Sequence, residues 1–335
     1  MKYKTVTKLA KNRWSAFVGN HTNGNIFQTP EMYEVYQKTK NYEPIFLAVT
    51  DNDDIILGVM LAVIQKGYGG IIGNLTARSI IFGGPLIKNN DAEVLNLILK
   101  EYNDIAKSKA IYSQFRNFWD WQESKSVFQK NGFEYEEHLN ILVDLNKSED
   151  ELWKDVHSKR RNEIRRATKE GTIFLVKNDL ESLRECYAIL TSVYTRAKLP
   201  IPTFDFFKNI FEVSKPQFGL KLFCAENEGE IIGCLLALTY KDSIYDFYAG
   251  AYLEHYKKYP NDLIPWKIFL WGKENNYKYF DFGGAGKPNV PYGVRDYKKK
   301  FGGELVNYGR FEKTHKPILL KMAKIGFMFW KKLKR

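Results

Sequence analysis

At 335 residues the chain exceeds the size at which one hydrophobic core stops growing, and 44% hydrophobic with 15% aromatic residues excludes a disordered chain, so two packed domains are expected. Three cysteines, Cys186, Cys224 and Cys234, fit neither a disulfide framework nor a zinc pattern, and no apolar run reads as a signal peptide or a membrane span. The net charge of +12 is lopsided: residues 1–148 hold +1, while 157–170 (+4) and 315–335 (+7) hold the rest, which points to an anionic partner such as a phosphate-bearing substrate, RNA or a membrane surface.

In chain order, helical spacing over 31–40 precedes 46–63, which reads as strand, acidic turn and apolar strand with one glycine, Gly58. Helical spacing over 92–109 leads into a strand at 110–115. The second half repeats the order: helix over 180–196, hairpin over 223–238 with Gly233, helix over 262–276 and strand at 279–282. A glycine in each second strand predicts a bulge or a close backbone approach. Helices, antiparallel hairpin, helix and strand is the order of the GNAT (acetyltransferase) fold. The expected fold class is therefore α/β (α+β), two tandem GNAT-like domains, each a mixed, largely antiparallel sheet flanked by helices. The expected limits are 1–147 plus 312–335 for the first domain and 148–311 for the second, which carries the main substrate site.

The chemistry-bearing segments lie in the second half. The strand 277–282 ends in Gly283-Gly284, where a ligand's phosphates or backbone can approach closely. After a flexible loop, the run Tyr297-Lys298-Lys299-Lys300-Phe301 is pinned by Gly302-Gly303. Such a charge run is usually solvated, but the bracketing of Lys298 by Tyr297 and Phe301 favours a placed cation. On the helix over 158–170, Arg161, Arg165 and Lys169 share a face, which either holds phosphate oxygens or is simply exposed and balanced by Glu163 and Glu170. Asp246 and Tyr248, two apart on a strand, are expected on one face, lining an acceptor pocket or packing in the core. No nucleophile elbow, Walker loop, dinucleotide fingerprint or metal-ligand spacing is present, so no metal is expected.

Asp281-Phe282-Gly283-Gly284, followed by Tyr297-Lys298 and Phe301-Gly302-Gly303, resembles the C-terminal signature of the Fem family, which adds amino acids to peptidoglycan precursors from aminoacyl-tRNA. The basic helix at 158–171 and Tyr248-Ala249-Gly250 extend the resemblance, which covers most of 150–311 and reaches the first domain mainly in layout. It implies an aminoacyltransferase of the peptidoglycan interpeptide-bridge type, with Lys298 as the catalytic cation. Tyr297 comes with it as the lysine's aromatic neighbour, and Asp246, Tyr248, Arg161, Arg165 and Lys38 are the further substrate-binding residues expected. The donor would be aminoacyl-tRNA, with no further cofactor, and the acceptor a nucleotide- or lipid-linked cell-wall precursor. The alternative is an N-acyltransferase of an amino sugar or small amine in polysaccharide synthesis, with an acyl-CoA or carrier-protein donor.

Three departures bear on this. Some family members carry an acid just after the last strand of the first domain; here 114–120 offers only Asp120, several positions late. The helical-hairpin arm of some members has no counterpart. An acetyl-CoA enzyme would need a Gly-x-Gly/Ala pyrophosphate turn, yet 252–261 has no glycine, and Gly83-Gly84 is followed by Pro85. The tail 317–335 is amphipathic and basic, expected to pack on the first domain or to touch the inner membrane face. The expectation is a cytoplasmic monomer, membrane-associated at most through that tail.

Overall fold

The computed structural model describes residues 3–67, 73, 76–323 and 325. The chain forms two compact units, one running to Glu137 and resuming at Tyr308, the other His138–Asn307. The seams fall earlier than the expected 147/148 and 311/312, and the hydrogen-bond ladders give the reason. Strand β8 (Leu139–Asp144) pairs with strands of the second sheet, and β15 (Arg310–Thr314) pairs with strands of the first. Past Ala323, Ile325 apart, the amphipathic tail lies outside the described residues.

The first unit contains β1 (Lys4–Val6), α1 (Lys11–Asn20), α2 (Pro30–Lys38), β2 (Tyr42–Thr50), β3 (Ile56–Gln65), β4 (Arg78–Phe82) and β5 (Leu86–Ile87). There follow α3 (Ala92–Lys109), β6 (Tyr112–Arg116), α4 (Lys125–Lys130), β7 (Glu134–Glu136) and the returning β15. Asp91 starts α3 by accepting from the amides of Glu93 and Val94. The helix then buries Val94, Leu95, Ile98, Leu99, Tyr102 and Ala106, the three-and-four spacing of one apolar face. The strand order is β1-β2-β3-β4-β6-β15-β7, with β5 on β3, and β4–β6 is the parallel pair.

The second unit contains β8, α5 (Glu149–Asp155), α6 (Ser158–Lys169), β9 (Ile173–Lys177), α7 (Leu180–Arg196), α8 (Phe204–Val213) and β10 (Gly219–Asn227). It continues with β11 (Glu230–Tyr240), β12 (Ser243–Ala251), α9 (Pro260–Glu274), β13 (Tyr279–Gly284), α10 (Gly293–Lys299) and β14 (Glu304–Asn307). Its order, β9-β10-β11-β12-β13-β8-β14, repeats that of the first sheet strand for strand, with β12–β13 parallel. Each unit is thus a mixed, largely antiparallel sheet flanked by helices, a tandem GNAT pair. Among the described residues the longest helix has 18 residues, too short for a helical-hairpin arm, and none is long and apolar enough to cross a membrane.

Both hairpin glycines do what their position predicts. The ladder slips beside each: Val49 faces Gly58 while Thr50 faces Ile56, and Ala225 faces Gly233 while Glu226 faces Ile231. A Cβ on Gly58 would lie 3.0 Å from Ile87 and Val94, and one on Gly233 only 2.7 Å from Pro260, so each glycine lets an element pack hard on the sheet. The units differ in one respect. β4 and β6 pair over five positions, whereas β12 and β13 pair over three, 243–245 with 279–281, and then part.

Candidate active site

Where β12 and β13 part, a bulge aims the side chains. Ala237 faces Asp246 but Leu236 faces Tyr248, so Phe247 is the extra residue. Asp246 and Tyr248 therefore pair with consecutive residues of β11 and leave the sheet on opposite faces, which corrects the expectation of a shared one. Tyr248 packs on α7 and α8, its ring 5.5 Å from Tyr194 and 5.0 Å from Phe207, so its contacts are those of an aromatic core. Asp246 turns the other way, to Lys298.

Lys298 lies in the last turn of α10. Its Nζ donates to the carbonyl oxygen of Phe282 and lies 3.5 Å from that of Gly284, at the end of β13. The Oδ2 of Asp246 is 3.9 Å away, and the two side chains are 14% and 11% exposed. Asp281 completes the cluster, accepting a 2.7 Å hydrogen bond from the amide of Gly283. Burial pushes both carboxyls above their ordinary range, Asp281 to about 6, against the lowering influence of Lys298. The arrangement places one ammonium, fixed by backbone carbonyls, beside two desolvated carboxylates.

Behind Lys298, Tyr297 is anchored rather than open. Its hydroxyl donates to the carbonyl of Asn261, and the Arg160 guanidinium sits 4.7 Å from its ring centroid. Arg160 in turn pairs with Glu163 at 2.8 Å and with Asp262 in the first turn of α9. Burial raises the Asp262 carboxyl to about 6 although Arg160 lowers it, and burial also raises the Tyr297 hydroxyl. Arg295 braces the loop before α10, donating to Lys287 O at 2.6 Å and Val290 O at 2.7 Å.

The remaining expected residues sit elsewhere. Arg161 donates to Trp153 O and Lys154 O at 3.1 and 3.2 Å, satisfying carbonyls at the end of α5. Exposed Arg165 lies 5.2 Å from the Trp153 ring. Lys38 is exposed in the last turn of α2, in the first unit, and Asp120 accepts a local bond from the Gln122 amide. Sequence reasoning singled out neither Arg160 nor Asp262. The only signal was an acid at the start of an apolar helix, and Arg160 read as one more charge in a basic run.

Residues 155–299 match the acetyltransferase (GNAT) domain family. Over 311 residues the chain is 21% identical to the UDP-N-acetylmuramoylpentapeptide-lysine N(6)-alanyltransferase of Weissella viridescens, covering 87% of this chain and 89% of that protein. The crystal structure of FemX superposes with a TM-score of 0.74 at 17% identity, over 96% of this chain and 99% of that one. A tandem GNAT protein from the clavulanic acid biosynthesis pathway gives 0.60 at 8% identity, over 94% and 99%. The matched GNAT segment and the two repeated sheets agree on a tandem GNAT fold, and the chain is similar over most of its length to that alanyltransferase.

Proposed function

We propose that the chain is an aminoacyltransferase that extends the peptide of a cell-wall precursor, joining an amino acid to a side-chain amine in the manner of an interpeptide bridge. The donor is an aminoacyl-tRNA and the acceptor a nucleotide- or lipid-linked muramoyl peptide. The observation that carries this reading is Lys298, held by Phe282 O and Gly284 O at the mouth of the β12/β13 gap. An amine attacking an ester builds negative charge on the carbonyl oxygen, and a pre-positioned ammonium stabilises it without reorganising. Transfer is direct, with the two substrates held together, because proximity supplies much of the rate. The cysteines are buried and unsuited to covalent catalysis.

An acyl-CoA donor fits this unit poorly. The first turn of α9, where a GNAT protein receives the pyrophosphate, holds Pro260 and the buried Asp262 carboxylate.

The test is to incubate the purified chain with alanyl-tRNA and UDP-N-acetylmuramoyl pentapeptide containing lysine, then weigh the product. One added alanine residue, lost by about 10²- to 10³-fold in Lys298→Met, supports the reading. No transfer from any of a panel of aminoacyl-tRNAs, or full activity of Lys298→Met, overturns it.

A further inference from the structure

We propose that Asp246 is the group that takes the proton from the attacking amine. The proposal rests on the transferase reading; Asp120, the acid that the sequence offered for proton removal, accepts a local bond from the Gln122 amide.

Geometry carries it. The Phe247 bulge sends Asp246 to the face that Lys298 occupies, at the point where β12 leaves β13. The other two members of the cluster are engaged: Asp281 accepts from Gly283 N at 2.7 Å, and Lys298 donates to backbone carbonyls. Among the described contacts Asp246 has only the ion pair with Lys298, at 3.9 Å, longer than a hydrogen bond. Its oxygens are thus placed to accept from an incoming N–H.

Electrostatics agree. The titratable groups that interact electrostatically with Asp246 are Lys298 and Tyr297 on α10, Asp281 on β13 and, from the opposite face of the sheet, Tyr194 on α7. With both carboxyls ionised, one cation faces two anions, so the cluster attracts an acceptor arriving as an ammonium. Burial lifts the Asp246 carboxyl above its ordinary range, which makes it a stronger base than a surface aspartate.

The proton balance closes. The acceptor ammonium gives one proton to the Asp246 carboxylate, and the free amine forms the N–C bond at the ester carbonyl. A second proton passes from that nitrogen to the departing ribose oxygen as its C–O bond breaks. Asp246 then releases its proton to water.

Two measurements test this. The first compares the wild-type chain with Asp246→Asn and Asp246→Glu, using alanyl-tRNA and either the lysine pentapeptide or an analogue whose lysine amine is replaced by a hydrazide, which enters unprotonated at neutral pH. Asp246→Asn should lower kcat with the lysine acceptor by about 10²- to 10⁴-fold but with the hydrazide by less than about tenfold. Asp246→Glu should recover part of the loss and keep the acid limb of the pH profile. Equal losses with both acceptors would mean that Asp246 only holds the site together. The second needs no substrate: carboxyl-¹³C NMR, assigned with the Asp246→Asn variant, should find Asp246 titrating above 3.8, and higher still in Lys298→Ala. Titration at or below 3.8 overturns the proposal. If the wild type turns over neither acceptor, the transferase reading fails, while the titration still decides whether Asp246 is the elevated carboxyl.

Discussion

The Arg160 guanidinium lies over the ring of Tyr297, 4.7 Å from its centroid, and its other contacts tie three helices together. From α6 it reaches Asp262 at the start of α9 and Tyr297 beside Lys298 on α10, while Glu163 on its own helix braces it at 2.8 Å. The position of the lysine is therefore set partly by a charge that never touches it.

Removing that charge should cost stability and position together. The three ionic groups are only 14%, 9% and 18% exposed, and stranding a buried partner destabilises by about 3–5 kcal/mol. Arg160→Met should lower the urea unfolding free energy by about 3 kcal/mol and reduce kcat more than it changes KM. Combining it with Asp262→Leu should restore much of the stability, because the orphaned carboxylate is gone, but not kcat. A single variant as stable as wild type would show that the network is incidental.

How much of this was legible follows from which forces are local. Strand and helix periods, the hairpin glycines and the Gly283-Gly284 signature are short-range patterns; they gave the tandem fold and pointed to Lys298 as the candidate cation. The bulge at Phe247 was not legible. It depends on register between β11 and β12, so Asp246 and Tyr248 read as one face when they take two. The basic helix misled in the same way. Four-residue spacing selected Arg161 and Arg165, whereas tertiary packing buries Arg160, one residue off that face. The domain seams moved because a short strand's partner is decided by the ladder it joins, not by its neighbours in sequence.

Asp281 should give stability an unusual slope in acid. Its folded value of about 6 is raised from 3.8, so between those values the folded state holds a proton that the unfolded chain has released. Stability from this group is therefore greatest near pH 4 and declines as pH rises to about 6, by at most about 3 kcal/mol. Asp281→Asn removes the titration while keeping an acceptor for the Gly283 amide. Urea midpoints from pH 4 to 7 should show wild type losing ground to the variant as pH rises; parallel curves would count against a buried, desolvated Asp281.

His315 should act with the opposite sign. Its Nε2 lies 2.7 Å from Ser113 Oγ, in a chain that continues to Tyr102 Oη at 2.7 Å and Ser79 Oγ at 2.5 Å. Burial, with help from Lys313 and Lys316, depresses its value from 6.5 to about 4. The unfolded chain therefore takes up a proton that the folded state refuses, and stability present above about pH 6.5 is lost as pH falls towards 4. His315→Gln keeps a polar partner for Ser113 without the titration. Its Tm relative to wild type should improve steadily from pH 7 to pH 4.5, and a constant difference would refute the assignment.

Gly283 offers the sharpest separation of fold from chemistry. Its φ of +68° is a left-handed value that costs an L-residue about 1–2 kcal/mol, and an added Cβ would sit 3.2 Å from the Tyr245 hydroxyl. Gly286, at φ +75° with its Cβ position 3.0 Å from the Tyr292 ring, would suffer a similar backbone penalty. The two differ in what surrounds them. Gly283 lies between the two carbonyls that hold Lys298, and its amide holds Asp281, whereas Gly286 lies outside that cluster. Gly283→Ala and Gly286→Ala should therefore lose comparable stability, about 1–2 kcal/mol each by urea unfolding. Because a misplaced cation forfeits transition-state stabilisation worth about 10²- to 10³-fold, kcat should collapse towards that limit in Gly283→Ala and stay within about tenfold of wild type in Gly286→Ala. Equal rates in the two variants would mean that the Phe282 and Gly284 carbonyls do not set the position of the ammonium.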